Sequence, residues 1–558
     1  MNPSLLAKLQ AALEHYHAGR PNEAEQLYRA VLCADARNAD ALNLLGVLEY
    51  ERGRNLEALD WLSKAVQVSP KTASFHNNLG LVLVALGRHG EAASQFEQAG
   101  QLDACLQDTF HNLGVARQNL GQTDEAIAAY LKALSLAEDP GTLSGLGETY
   151  LKSGRREEAT QCYERALQLL RRALKLQPDD SKTLKSLGNL LLASGRTEES
   201  VLAYDQAIHL QGDDPDAYYN RGHARLVLGD FAGGWDDYEY RWLWKGYKHP
   251  RPSFAQPAWT GDELKGRTLL VYNEQGSGDT IQFVRYARML ADRGAKVLLG
   301  VPAELKSLLG DLGGACLVLD ANQPLPPFDV HAALMSLPRL CGTRLENIPA
   351  SVPYLPLPPV ERFPLLPATP ASARSCGEAR PGRLRVGLIW AGAALHIRDA
   401  LRSISLKDFI PLLQASDCDF FSLQVGARAA DLAALPAGVS VTDIGSRVRD
   451  FADTAAVMGQ LDLIISVDTA TLHLAGALAR PAWGLLPYVP DWRWLLHRED
   501  TPWYPTMRLF RQVALGDWAD VIKRVQEELS RVARLHRESG VAPHLKWFQP
   551  SPLLSGTI

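Results

Sequence analysis

Apolar and small residues return along the first half of the chain with a fixed long period. Leu44-Leu45-Gly46, Asn78-Leu79-Gly80, Asn112-Leu113-Gly114, Gly145-Leu146-Gly147 and Ser186-Leu187-Gly188 are versions of one triplet, and Gly46, Gly80 and Gly114 stand 34 residues apart, with Gly147 after a further 33. Twelve residues past each glycine comes a small residue: Ala58, Ala92, Ala126, Ala159 and Ser200. Four further on sits a large one (Leu62, Phe96, Tyr130, Tyr163, Tyr204), and three beyond that an alanine (Ala65, Ala99, Ala133, Ala166, Ala207). Self-similarity at such a period marks stacked supersecondary units. The spacing predicts two antiparallel helices per copy, packed closely at the glycine and alanine positions, with the large residue filling the space against the next pair. Gly53-Arg54, Gly87-Arg88, Gly154-Arg155 and Gly195-Arg196 fall where the first helix of a copy should end, and glycine tolerates the positive φ of a helix terminus. An irregular first copy (Gly19-Arg20, Ala24, Tyr28) and a last one (Gly222, Gly229, Tyr238) bring the count to seven. Between Ala166 and Pro178 the helix-end pattern occurs twice, as ERALQL and RRALKL, which predicts a longer helix or a local break.

This pattern resembles the tetratricopeptide repeat. The resemblance implies an all-α solenoid over residues 1–245 whose concave face holds an extended polypeptide. An oligomerisation or spacer arm is the alternative.

After Trp242 the period changes. HPRPSFAQPAW, with three prolines, reads as a connector. Arg267–Tyr272 is a short β-rich run ending in Asn273-Glu274-Gln275-Gly276-Ser277-Gly278-Asp279. A helical pattern follows to about Arg293, and Ala295–Gly300 reads as the next strand. Strand, glycine-rich loop, helix and strand make one βαβ unit of a parallel sheet. A second set of strands is predicted at Arg385–Trp390, Phe420–Gln424, Leu461–Val467 and Ala482–Leu486, with a helix over Ala470–Ala479. The proline-rich stretch between the two sets reads as a linker over residues 356–384. The C-terminal half is therefore predicted to be two Rossmann-like α/β domains, over 258–355 and 385–535, with a tail at 540–558. Ligands of such sheets bind outside the carboxyl ends of the strands, so the cleft between the domains is the expected site.

Composition narrows the function classes. The chain has 558 residues, 46% hydrophobic and 22% charged, which is globular composition. A net charge of -5, from 58 basic and 63 acidic residues, offers no bulk attraction to nucleic acid. No apolar run approaches the ~20 residues of a membrane span. The opening MNPSLLAKLQAALEHYHAG carries Lys8 and Glu14 inside its apolar pattern and does not read as a secretory signal. Seven scattered cysteines without a CxxC pair suggest neither a disulfide framework nor a zinc site, and a reducing cytoplasm is the expected compartment.

Four segments carry candidate chemistry. In Gln275–Asp279 the glycines Gly276 and Gly278 allow backbone close to a ligand, and Asp279 is either a plain helix cap or a general base at a cleft edge. In Ser466–His473 a strand runs into a helix start. There Asp468, Thr469, Ala470 and Thr471 offer free amides and the positive end of a helix to a diphosphate, Thr469 can cap, and His473 can add a donor. The alternative is a capped helix with a packed histidine. In His396-Ile397-Arg398-Asp399-Ala400-Leu401-Arg402-Ser403-Ile404, after the strand that ends at Ala391-Gly392, Arg398 and Arg402 could neutralise phosphate; a solvated loop is the other reading. In Asp491-Trp492-Arg493-Trp494 and Pro502-Trp503-Tyr504-Pro505 the tryptophans could stack on a base or sugar, or pack between the two domains.

These stretches resemble glycosyltransferase family 9, the lipopolysaccharide heptosyltransferase group, and its relatives fused to tetratricopeptide repeats. The matching segments are GSGDTIQFVRY (276–286), VGLIWAG (386–392) and SVDTATLHLAGAL (466–478), within about residues 258–535. The resemblance implies the two-domain GT-B fold, with the first domain on the acceptor side and the second on the nucleotide-sugar side. It implies sugar transfer from a nucleotide diphosphate sugar, with no cofactor and no required metal. Asp279 matches the family's catalytic base. Asp468, Thr469 and His473 match its Asp-Thr-Gly-x-x-His motif, with Ala470 where glycine is usual. Gly276, Gly278, Gly392, Arg402, Gln424, Ala470 and Thr471 complete the implied donor site, and His473 joins Asp279 as an implied catalytic residue. The order of repeats followed by GT-B is also that of protein O-GlcNAc transferases and of bacterial flagellin-modifying transferases. It implies a protein Ser or Thr acceptor held by the repeats. The alternatives are a saccharide or lipopolysaccharide transferase with the repeats as a docking arm, and a non-catalytic scaffold.

Overall fold

A computed structural model describes residues 3–244, 246–247, 249–310, 312, 314, 316–320, 323–365, 383–393, 399–415 and 417–539. The chain divides into two compact units, one of Met1–Leu176 and one beginning at Gln177.

The first unit is ten helices in five antiparallel pairs: α1 (Pro3–His17) and α2 (Pro21–Ala34), α3 (Ala39–Glu51) and α4 (Asn55–Val68), α5 (Ala73–Ala85) and α6 (His89–Leu102), α7 (Gln107–Asn119) and α8 (Thr123–Leu136), α9 (Pro140–Lys152) and α10 (Arg156–Leu176). The turn within each copy needs glycine, as at Gly53, whose φ is 77°. The periodic alanines are fully buried. The large residue of each copy lies on the glycine of its own pair, not only against the next pair. A β-carbon on Gly80 would come within 2.5 Å of the Phe96 ring, so close approach at that crossing requires a hydrogen there. Tyr130 does both, touching Gly114 of its own pair and Gly145 of the following one. The doubled helix-end pattern resolves as a longer helix: α10 runs 21 residues without a break, and Leu176 at its end is exposed.

The second unit opens with two more pairs, α11 (Ser181–Ala193) with α12 (Thr197–Leu210) and α13 (Pro215–Val227) with α14 (Phe231–Tyr238), closed by a 3₁₀ turn at Glu239–Trp242. Two parallel sheets follow. The first contains β1 (Thr268–Tyr272), β2 (Lys296–Val301), β3 (Cys316–Asp320) and β4 (Val330–Ala333) in the order β3-β2-β1-β4, with α15 (Ser277–Asp292), α16 (Ala303–Leu309) and α17 (Leu337–Leu340). The second contains β5 (Leu384–Ile389), β6 (Cys418–Ser422), β7 (Thr442–Asp443), β8 (Leu463–Val467), β9 (Ala482–Leu486) and β10 (Met507–Arg511) in the order β10-β9-β8-β5-β6-β7. Its helices are α18 (Asp399–Arg402), α19 (Ile410–Leu413), α20 (Phe451–Met458), α21 (Ala470–Ala477) and α22 (Trp518–Ser539). Strand order reverses between β1 and β4 in one sheet and between β5 and β8 in the other. Such switch points leave a crevice at the carboxyl ends of the strands.

The last repeat helices share a core with the sheets. Trp235 of α14 donates its indole N–H to the Thr343 carbonyl (3.1 Å) and packs edge-on against Trp492. Residues 366–382 of the expected linker, and the expected tail at 540–558, lie outside the described residues. In the described part of the linker Arg362 pairs with Asp450 (2.7 Å) and Asp453 (2.9 Å), which ties it to α20. Among the described residues no helix is long and apolar enough to cross a membrane, and no group of three or more His, Cys, Asp or Glu side chains is placed to hold a metal.

Candidate functional site

The loop after β1 turns into α15 at Gly276. Asp279 is not a plain cap: it sits at the third helical position, where one carboxylate oxygen accepts the Gly276 N–H (2.9 Å) and the other meets the guanidinium of Arg493. Gly278 lies against the start of α21. A β-carbon there would stand 3.2 Å from both Ala470 Cα and the His473 ring. The first turns of α15 and α21 therefore rest on each other, bringing Gly276, Gly278, Asp279, Ala470 and His473 into one place. Ala470 stands where glycine is usual in the resembled motif, and its methyl would lie 3.6 Å from a β-carbon on residue 278, an ordinary contact; it is the backbone of Ala470 and the His473 ring that come close to Gly278.

Across the second sheet's switch point, the loop after β5 brings Gly392 beneath Arg402. Its N–H donates to Ser403 Oγ (2.9 Å), and a β-carbon on it would fall 2.4 Å from Asp399 Oδ1 and 2.6 Å from the Arg402 guanidinium, so a side chain there would push both groups aside. Arg402 contacts Asp399 at 3.4 Å. His396, Ile397 and Arg398 lie outside the described residues. Gln424 braces the ends of β5 and β6: its oxygen accepts from the Trp390 (3.2 Å) and Ala391 (2.9 Å) amides, and its nitrogen donates to the Ala391 and Val425 carbonyls (both 3.1 Å). Those four bonds use the capacity of a carboxamide.

Thr469 occupies the cap position of α21, but its hydroxyl bonds Ser466 Oγ (3.1 Å) and not a helix amide. The expectation that Thr469 caps with its side chain is corrected. The serine beneath it competes for the hydroxyl, and the first amides of α21, at Ala470 and Thr471, have no side-chain cap. Uncapped first-turn amides are an anion-binding element. His473 is packed: Nδ1 hydrogen-bonds the Tyr504 hydroxyl (2.9 Å) and the ring stacks on Trp494 at 5.1 Å and 19°. Burial, reinforced by Arg493, lowers its pKa to about 3, so any donor role belongs to a neutral imidazole.

Asp468, at the end of β8, is only 9% exposed. Burial and the neighbouring Asp491 carboxylate raise its pKa to about 6, against the pull of Arg402, Trp494 and Arg493. Burial also works against the charge on Asp491, but there Arg493 prevails and its pKa falls well below the usual range. Carboxylates pushed apart in this way mark functional-site candidates. A buried charge also carries a stability signature. With a folded pKa near 6 and an unfolded one near 3.8, Asp468 binds its proton more tightly folded than unfolded, so its contribution to stability is lost as pH rises through about 6. Asp468→Asn is therefore expected to be more stable than wild type at pH 7.5, by on the order of 1–3 kcal/mol, with the gap closing as pH falls from 6 to 4. Denaturant melts across that range check it; a gap that is constant with pH would contradict it.

The tryptophans of the 491–505 segment pack rather than stand free. Trp492 meets Trp235, Phe283 and Trp503, and Trp494 and Trp503 are fully buried. Sequence reasoning looked to these rings and passed over the charge between two of them, Arg493, which holds Asp279. Asp491 and Tyr504, in the same candidate segment, carry contacts that a reading of the rings does not include: Asp491 accepts from Arg493, and Tyr504 bonds His473. The signal available was an arginine flanked by large aromatics, a side chain that burial permits only with partners.

Tetratricopeptide-repeat models match residues 47–87, 107–140, 139–211 and 185–245. The N-terminal helical array is a tetratricopeptide solenoid, which suggests a role in protein interaction. Protein FlbA of Caulobacter vibrioides is 26% identical over 346 residues, 56% of this chain and 54% of its own length. The chain thus spans about half the length of that curated relative. Solved structures that resemble parts of the chain include MamA (25% identity, 29% of this chain and 96% of that one, TM-score 0.28). They also include a tetratricopeptide repeat protein from Parabacteroides merdae (15% identity, 42% and 91%, TM-score 0.34).

Proposed function

We propose that this chain is a GT-B glycosyltransferase that moves a sugar from a nucleotide diphosphate sugar to a Ser or Thr hydroxyl of a protein held by the repeats. The observation that carries the reading is the meeting of two helix starts, α15 with Asp279 and α21 with uncapped amides, beside the switch point where Arg402 lies over Gly392. Asp279 takes the proton of the acceptor hydroxyl as its oxygen bonds the anomeric carbon. The bond from that carbon to the diphosphate breaks, and the leaving oxygens take the electron pair. The amides of Ala470 and Thr471, the Arg402 cation and the neutral His473 ring stabilise the charge that develops on them. Asp468 and Thr469 border the same turn, while Gly276 keeps backbone open to the substrates, Gly278 and Gly392 let α21 and Arg402 come close, and Gln424 holds the floor of the site in shape.

One experiment tests donor and acceptor together. The purified protein and His473→Ala are titrated with UDP, ADP, GDP and CMP by calorimetry. The matching sugar donors are then offered with a cell extract, and transfer is read as a sugar-sized shift in the intact mass of one protein. Binding of one nucleoside diphosphate is expected, weakened by about tenfold in His473→Ala, the effect of one hydrogen bond to a charged group. No binding of any nucleotide and no mass shift would overturn the proposal.

A further inference from the structure

Arg493 has no role in the chemistry derived above, yet its three nitrogens all reach acceptors around the candidate base. Nε donates to Gln282 Oε1 (2.6 Å) and one terminal nitrogen to Asp279, both on α15. The other donates to Asp491 (2.8 Å) in its own turn, after β9. The guanidinium lies over the Trp492 ring at 4.3 Å, and the side chain is 8% exposed. It thus bridges the two α/β halves, from the 491–494 turn to the first two turns of α15. The bridged carboxylates are more open than their clamp: Asp279 keeps 21% of its side chain exposed and Asp491 31%. The cation that joins the two acids is thus more deeply buried than either of them.

We propose that Arg493 is the positioning residue of this site, a fork that fixes the Asp279 carboxylate and, through it, the Gly276 turn at the geometry the acceptor hydroxyl must meet. Its kinetic consequence rests on the transferase reading; the clamp itself does not. Arginine is required because a planar guanidinium offers donors in three directions at once, and a lysine ammonium on a flexible stem cannot span Gln282, Asp279 and Asp491 together. The Coulomb fields of Asp491 and Asp279 act in the same sense, keeping the guanidinium charged despite its burial.

Arg493→Lys keeps the charge and breaks the fork. Hydrogen–deuterium exchange of the whole protein should show segments 273–283 and 488–495 exchanging about tenfold faster, the loss of one charge-assisted hydrogen bond, with the helices of Met1–Leu176 unchanged. With UDP-, ADP- and GDP-linked sugars as probes, kcat should fall by about 10²-fold, the effect of roughly 1 Å of misplacement, while KM for the donor stays within about threefold. Gln282→Met is the second variant. It leaves both ion pairs, removes an amide whose nitrogen is buried without a partner, and should move exchange and kcat the same way by less. It carries the test if Arg493→Lys does not fold. Wild-type exchange at 273–283 in a folded variant would overturn the clamp, and faster exchange with unchanged kcat would overturn its role in positioning. A wild-type protein that binds no nucleoside diphosphate overturns the transferase reading instead, and the exchange measurement still decides the clamp.

Discussion

Asp279→Asn is expected to lower sugar transfer by roughly 10²–10⁴-fold, the range for removing a general base, while nucleotide affinity stays within a few-fold. The substitution keeps the size of the side chain and an oxygen for the helix start, but it turns an amide NH2 group toward the Arg493 guanidinium in place of a carboxylate oxygen. Asparagine keeps an oxygen to accept the Gly276 N–H, and at helix starts it caps about as well as aspartate. Arg493 keeps Asp491 and Gln282 as partners, so its charge is not left unpaired. What disappears is a carboxylate able to take a proton, together with its ion pair to Arg493, so the loss of transfer is read against that of Arg493→Lys, which breaks the same pair and leaves the carboxylate. A structural Asp279 would therefore give a variant with near-normal transfer and a modest change in stability. Rates of transfer and calorimetric affinity measured on the same preparation separate the two cases, and a fully active, stably folded Asp279→Asn enzyme would place the base elsewhere.

Breaking the buried pair at the end of the repeats should have the largest effect on stability. Arg241 is 0% exposed and holds Glu274 in the loop after β1 through two nitrogens, at 2.9 and 2.8 Å. It also donates to Ser336 (2.8 Å) and Glu239 (2.7 Å), while Tyr247 (2.6 Å) and the Met335 amide (3.2 Å) donate to Glu274. Arg241→Met leaves a buried carboxylate without its cation and is expected to destabilise the second unit by about 3–5 kcal/mol. Replacing both, as Arg241→Met with Glu274→Leu, removes the orphan charge and should recover much of that loss, because a desolvated ion pair gains little over apolar packing. Denaturation followed by tryptophan fluorescence reports on this unit, since every tryptophan except Trp61 lies beyond Gln177. A loss below about 1 kcal/mol in Arg241→Met would show that water or another cation reaches Glu274.

Some of the candidate site was legible from single stretches of chain. The turn into α15 and the turn into α21 were both found, because a β-rich run, small residues and a helical pattern are local signals. The roles within them were less so. Thr469 stands in a capping position, and nothing in SVDTATLHL reveals that Ser466 takes its hydroxyl. Gln424 is expected to end a strand but lies two residues past β6, and only the neighbouring β5 shows that its amide is committed to Trp390, Ala391 and Val425. Strands β3, β4, β7 and β10 fall outside the sequence expectation: β4 and β7 are only four and two residues long and β10 is interrupted by arginine, while β3 does carry an apolar run, Cys316–Leu319, that the expectation leaves out.

By itself the sequence determined what depends on residues near one another along the chain. The helical pairs follow from a repeat of about 34 residues, since each crossing is set by a glycine and a bulky side chain at constant separation. The change to parallel sheets follows from the change in period after Trp242. The tertiary structure decided everything that joins distant segments: the docking of α14 and Arg241 against the first sheet, the contact of Gly278 with Ala470, and the 214-residue span over which Arg493 reaches Asp279. The physical reason is that a buried charge is tolerated only where partners converge on it. That convergence is a property of three-dimensional packing, which a period or a motif along the chain does not encode.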